Sequence, residues 1–240
     1  MKQRILLITG WGGGEKLLNP LKQLLEQQGY IVELSNIFNA LDEQVLAQQV
    51  EHAIKFDVIA GWSLGGELAM RLVDDVALKT GQNKTLITMA SNPSFVAHEN
   101  WRHAMSVEDF HQFKQSFEHD PITILKRFGL LVTKGVETAK SDFNTMQTML
   151  HAQPMSLLKQ GLAILEQFNL VEILKNYTGR QLHLFADYDA LVPREIVQDM
   201  QKINAKSIQI VTLKNAAHSF PFIQVEKTCD EITKFIESSV

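Results

Sequence analysis

Apolar residues along the chain follow two patterns that take turns. Short continuous apolar runs stand at 4–9 (RILLIT), 30–35 (YIVELS), 56–62 (FDVIAGW), 84–90 (KTLITMA), 181–186 (QLHLFA) and 207–213 (SIQIVTL). All six are of strand length, and the first, RILLIT, does not alternate with polar residues, which predicts a strand covered on both faces. Between them the apolar positions recur at three- and four-residue spacing. In 15–28 they are Leu17, Leu18, Leu21, Leu24 and Leu25, and Gly29 stops the pattern, which predicts a helix with a glycine C-cap. The same spacing predicts helices over 41–54, 64–79 (closed by Gly81), 193–204 and 222–238.

Between 98 and 176 the alternation lapses. No strand-like run occurs there, and helix starts stand at Ser106-x-x-Asp109, at Asp120-Pro121 and at Pro154. Repeated strand–helix alternation predicts an α/β fold with a doubly wound, mostly parallel sheet. The helical stretch reads as a cap inserted after a fifth strand. The expected division is a core of 1–97 and 177–240 and a cap of 98–176. Ligands of such sheets bind outside the carboxyl ends of the strands. Ser63, the 91–98 loop, Asp187, Asp189 and His218 all fall at such ends.

Composition narrows the function classes. A chain of 240 residues that is 45% hydrophobic suits one domain, at most two, with a sizeable core. Its 23 basic and 27 acidic residues, net charge -4, give no global pull toward nucleic acid or an anionic membrane. No apolar run reaches the ~18 residues of a membrane span. The stretch Ile5 to Ile8 falls short of the ~7 residues of a signal-peptide core, so it reads as a first strand and a cytoplasmic location is expected. Cys229 is the only cysteine, which rules out an intramolecular disulfide. It lies among Ile223, Val225, Ile232 and Phe235 and is expected to pack in the last helix.

The segment 61–66, GWSLGG, carries the first candidate chemistry. G-x-S-x-G alone arises by chance in roughly one chain in ten of this length. Here a predicted strand leads into it and a predicted helix leaves it, the context of an exposed nucleophile on a sharp turn. Gly61 and Gly65 remove side chains where strand and helix approach. A serine hydroxyl needs a base to take its proton. His218, in NAAHSFPF, follows the last strand and precedes the last helix. The other histidines lie on predicted helices or in the cap, apart from His183, which sits within a strand. None pairs with another at metal-ligand spacing beside carboxylates, so neither a metal nor another cofactor is expected. LFADYDALVP supplies two carboxylates, Asp187 and Asp189. One would hold the imidazole tautomer and the other would cap the loop or the helix at Pro193; spacing alone leaves the choice open. The oxyanion of an acyl transfer would lie against the Leu64 amide and one from the loop after the first strand, where TGWGGG (9–14) offers Trp11. That glycine-rich loop has neither dinucleotide-binding nor P-loop spacing.

Together GWGG, GWSLGG, DALVPREIV and NAAHSFPF resemble the pimeloyl-acyl-carrier-protein methyl ester esterases of biotin synthesis, which are α/β hydrolases. KRFGLLVTKGVETAK (126–140) resembles the cap of that family. The resemblance runs from residue 4 over essentially the whole chain and thins between 13 and 55. It implies that Asp189 is the catalytic carboxylate and that the acyl chain lies near Trp11, Leu64 and Phe128. It also implies an acyl carrier protein as partner. Residues 121–140 carry Lys126, Arg127, Lys134 and Lys140 against the single acid Glu137, a local positive patch that can steer an acidic partner. Cap contacts to the acyl chain are expected from Phe128, Leu131 and Met155, and carrier contacts from Lys126, Arg127 and Lys140, with the enzyme a monomer. The chain departs from the family pattern in three ways. Thr9 stands where a histidine is usual, Thr123 and Asn144 occupy cap positions where a basic residue would fit, and the usual leading hairpin is not evident. Two other readings fit the same residues: an esterase of free short-chain esters, and a non-catalytic binding protein with a hydrolase fold.

Overall fold

The computed structural model describes residues 2–238. Six strands form one sheet in the order β2-β1-β3-β4-β5-β6. They are β1 (Arg4–Ile8), β2 (Ile31–Ser35), β3 (Val58–Trp62), β4 (Thr85–Met89), β5 (Gln181–Ala186) and β6 (Ile208–Leu213). Every pairing is parallel. Side chains alternate faces along β1: Leu6 and Ile8 join one apolar cluster, Ile5 and Leu7 the other. Both faces of β1 are therefore covered, which is why it reads as an unbroken apolar run, while the edge strand β2 is partly exposed.

Helices α1 (Asn19–Gln27), α2 (Glu43–Ala53) and α3 (Leu64–Thr80) connect the first four strands, and α9 (Ile196–Lys202), α10 (Phe220–Ile223) and α11 (Val225–Glu237) flank the last two. Between β4 and β5 come five helices, α4 (Val107–His119), α5 (Pro121–Thr133), α6 (Ala139–Met149), α7 (Met155–Gln167) and α8 (Val171–Asn176). This is the fold of an α/β hydrolase. The helical block follows the fourth strand, not a fifth, because only four apolar runs precede it.

Two predicted helices are each divided. The 15–28 pattern is a 3-10 turn, Glu15–Leu18, followed by α1, with Pro20 in the first turn of α1. Proline has no N–H to donate to the preceding turn, so the α-helix starts there. The 222–238 pattern splits at Gln224, whose φ of -102° and ψ of 56° are not helical. Cys229 packs in α11 as expected, and burial pushes its thiol up to about 11, so it stays a thiol at neutral pH. No helix among the described residues is long and apolar enough to cross a membrane.

Glu67, in the first turn of α3, is buried and its Oε2 has no hydrogen-bond partner. Burial alone holds its carboxyl well above the ordinary value of 4.5. The folded chain therefore keeps a proton that the unfolded chain releases above that pH. Stability contributed by this site is full below pH 4.5 and is lost as pH rises toward the raised folded value. An unpartnered buried polar group costs about 1–3 kcal/mol. Glu67→Leu is expected to stabilise the fold by about that amount at pH 7 and by less at pH 4. Urea midpoints at the two pH values check it, and an equal gain at both would contradict the proton-linked account.

Candidate active site

Ser63 sits on the turn between β3 and α3 with φ 55° and ψ -126°. A non-glycine residue at positive φ is strained, so the surroundings must hold it there. Ser63 N–H donates to Met89 O at 2.9 Å, and Ser63 O accepts from Gly66 N–H and from Ser91 Oγ, both at 2.8 Å. The glycines make the turn sterically possible. A Cβ on Gly61 would lie 2.0 Å from Gly65 O, and one on Gly65 would lie 2.2 Å from Thr9 O. Ser63 occupies the N-cap position of α3, yet its side chain makes no cap hydrogen bond. Its Oγ is therefore not engaged in holding the helix.

Asp189 and His218 meet in the interior. Asp189 Oδ2 and His218 Nδ1 are 2.8 Å apart, and both side chains are almost fully buried. Asp189 Oδ1 accepts from the N–H groups of Leu191 at 2.8 Å and Val192 at 2.9 Å, so the carboxylate is fixed from its own loop. Asp187 has a different task. It accepts from Asn215 N–H at 3.1 Å and Ala216 N–H at 3.0 Å, bracing the turn that leads to His218. Asp189 thus contacts the imidazole, and Asp187 caps the 215–216 turn.

His218 Nε2 is buried and has no hydrogen-bond partner among the described residues. Trp62 ties the histidine to the serine turn. Its Nε1–H donates to His218 O at 2.9 Å, and its ring lies 5.5 Å from the imidazole. The loop after β1 closes the other side, since a Cβ on Gly10 would lie 3.0 Å from Ser63 Cβ. Thr9, buried there, donates its hydroxyl to Gly14 O at 2.9 Å and so holds the loop.

Trp11 is anchored through Nε1–H to Leu158 O at 2.8 Å. Its ring packs edge-on against Phe113, Phe117 and Phe128, the last at 4.9 Å. Gly161 in α7 makes room, because a Cβ there would lie 2.6 Å from Trp11 Cδ1. Two cavities share Trp11 and Phe128. The larger, about 390 Å³, is also lined by Trp62, Lys126, Gln147 and Leu158. The smaller, about 30 Å³, is lined by Ser63, Leu131, Leu162 and Leu191, among others. Phe128 lines both cavities and Leu131 the smaller one. Met155 is exposed at the first residue of α7 and lines neither cavity, because the helix face turned to the cavities begins a turn later, at Leu158. Phe110 and Phe113 of α4 and Leu162 and Leu165 of α7 complete the small cavity's wall. The sequence pattern singled out none of the four, since which helix faces meet around the serine is set only in the fold.

Lys126, Arg127, Lys134 and Lys140 are all exposed, Lys126 at the rim of the larger cavity and Arg127 at a groove with His119, Asp120 and Thr123. Among the described residues no group of three or more His, Cys, Asp or Glu side chains could hold a metal ion. His183 is buried beside Thr88 Oγ1 at 2.7 Å, and burial pushes its pKa down to about 3, so it is a neutral core residue.

Comparisons with solved structures give the same architecture. An esterase from Exiguobacterium antarcticum superimposes with a TM-score of 0.79 at 18% identity, covering 98% of this chain and 92% of that one. A bromoperoxidase from Bacillus anthracis gives 0.82 at 14% identity, covering 99% and 93%. Fold and turn geometry together define an α/β hydrolase. No protein-family model matches the chain. Its curated relatives include pimeloyl-[acyl-carrier protein] methyl ester esterases of Salmonella heidelberg and Salmonella typhimurium, each 33% identical over 231 residues, covering 91% of this chain and 88% of the relative. The chain belongs to the pimeloyl-[acyl-carrier protein] methyl ester esterase family and is a carboxylic ester hydrolase.

Proposed function

We propose that the chain hydrolyses the methyl ester at the free end of a pimeloyl chain carried by acyl carrier protein. The observation that carries the mechanism is the buried Asp189–His218 pair at 2.8 Å, with an unpartnered His218 Nε2, beside a strained serine whose Oγ caps nothing. Ser63 Oγ attacks the ester carbonyl while His218 Nε2 takes its proton. The oxyanion forms against the amides of Leu64, the first helical residue of α3, and Trp11. First-turn amides have no acceptor within the helix, and the positive end of its dipole adds to their pull. The C–O bond to the methoxy group then breaks, His218 returns the proton, and methanol leaves. Water repeats the sequence on the acyl-enzyme and frees the acid. Asp189 stabilises the imidazolium at each turn.

In this reading 1–97 and 177–240 form the catalytic core and 98–176 the cap. The enzyme works as a cytoplasmic monomer without a cofactor. The exposed cations Lys126, Arg127 and Lys140 meet the acidic carrier. Support comes from the family membership and from the concentration of positive charge over residues 121–140 in a chain of net charge -4. Reversing two of them, Arg127→Glu with Lys140→Glu, is expected to lower kcat/KM on the carrier-bound ester by about 10–100-fold at low salt, with little change on free methyl butyrate. An equal effect on both substrates, or none on either, would leave an esterase of free short-chain esters as the better account.

A further inference from the structure

The two cavities that meet at Trp11 and Phe128 differ in access. The larger is bordered by exposed residues, Ile122, Lys126 and Gln147. The smaller has no exposed residue in its lining. Phe95, Phe110, Met105 and Ser63 all form part of its wall. An ester carbonyl held at Ser63 carries two substituents, the acyl chain and the alkoxy group. When the acyl chain is tethered to a carrier protein, its far end must lead to the surface. It cannot enter a closed space. Only the alkoxy group is free to do so.

We propose that the small cavity is the alcohol subsite, that Met105 and Phe110 set its size limit, and that the acyl chain leaves past Trp11 through the larger cavity. The proposal rests on the carrier-tethered reading given above. Against the about 10–15 Å³ that one water needs, a cavity of about 30 Å³ is small, which suits an alkoxy group as small as methoxy. Longer alcohols must displace Phe110, which packs edge-on against Phe95 at 6.1 Å, or Met105, which is only half buried. Met105 and Phe110 line the small cavity and not the large one, so their effect belongs to the alcohol side. Phe113 would be a poorer probe, because it also packs against Trp11 and Phe128, which both cavities share.

The test is a series of methyl, ethyl, propyl and butyl monoesters of pimeloyl-acyl carrier protein, run beside two free series. One free series is acetates of graded alcohols, the other methyl esters of graded acyl chains. For the unmodified enzyme kcat/KM is expected to fall about 10–100-fold from methyl to propyl, the discrimination an apolar pocket makes against one or two extra methylenes. Met105→Ala and, separately, Phe110→Leu are expected to bring propyl to within roughly threefold of methyl. Acyl-length preference should not follow. The ratio is internal to each variant, so a general loss of folded enzyme does not move it. An unmodified enzyme that turns over propyl as fast as methyl overturns the proposal, whatever the variants do. So does relaxation of the acyl series in place of the alcohol series. The carrier reading fails separately, if only the free esters are turned over.

Discussion

Ser63→Ala is expected to lower ester turnover by about 10⁴–10⁶-fold while leaving the fold and its melting temperature close to those of the parent. The size follows from the chemistry: without Oγ there is nothing for His218 to activate and no acyl-enzyme to form. What remains is the binding site and the oxyanion amides. The fold should survive because Oγ caps no helix, and the contacts that hold residue 63 run through its backbone to Met89, Gly66 and Ser91. Steady-state hydrolysis of a methyl ester, with circular dichroism on the same sample, checks both halves. Turnover within tenfold of the parent would remove Ser63 from the mechanism. A collapsed fold would show instead that the hydroxyl carries structure.

Asp189→Asn is the second large effect, expected at about 10⁴-fold in kcat with KM little changed. The reason lies in how the carboxylate is held. Oδ1 accepts two N–H groups, from Leu191 and Val192, and Oδ2 faces His218 Nδ1. An asparagine would keep its oxygen toward the two N–H donors and turn its amide N–H₂ to the imidazole. Nδ1 must then accept, so Nε2 carries the proton and can no longer take one from Ser63. The geometry is preserved while the tautomer is wrong. Asp187→Asn is the control, because an amide oxygen can still accept from Asn215 or Ala216 and the turn is weakened without touching the imidazole. A loss from Asp187→Asn as large as that from Asp189→Asn would reverse the two roles.

The strands were legible in the sequence because each is a short apolar-rich run between helical patterns, continuous in RILLIT, and QLHLFA matches β5 residue for residue. The serine, histidine and the pair of aspartates were legible because each follows such a run. Other features were not. A single apolar stripe over 15–28 says nothing of where the hydrogen-bond pattern changes, and Pro20 was the only local sign of it. The assignment of Asp189 over Asp187 depends on which backbone N–H groups each meets, and that is a property of the folded turn at 215–216. Met155 was expected against the acyl chain, yet whether it is buried depends on where the helix begins relative to its neighbours. The wall formed by Phe110, Phe113, Leu162 and Leu165 required knowing which faces of α4 and α7 look toward each other.

Placement of the tryptophans gives the chain a built-in optical reporter. Of its three indoles, Trp11 lines both cavities and Trp62 lies against the His218 ring. The third, Trp101, donates to Asn92 Oδ1 in the loop after β4, next to the serine that bonds Ser63 O. A histidine that becomes charged beside Trp62, or an acyl chain that displaces water from Trp11, alters indole emission directly. Stopped-flow fluorescence on the unlabelled protein can therefore time substrate entry and acyl-enzyme formation apart from product release.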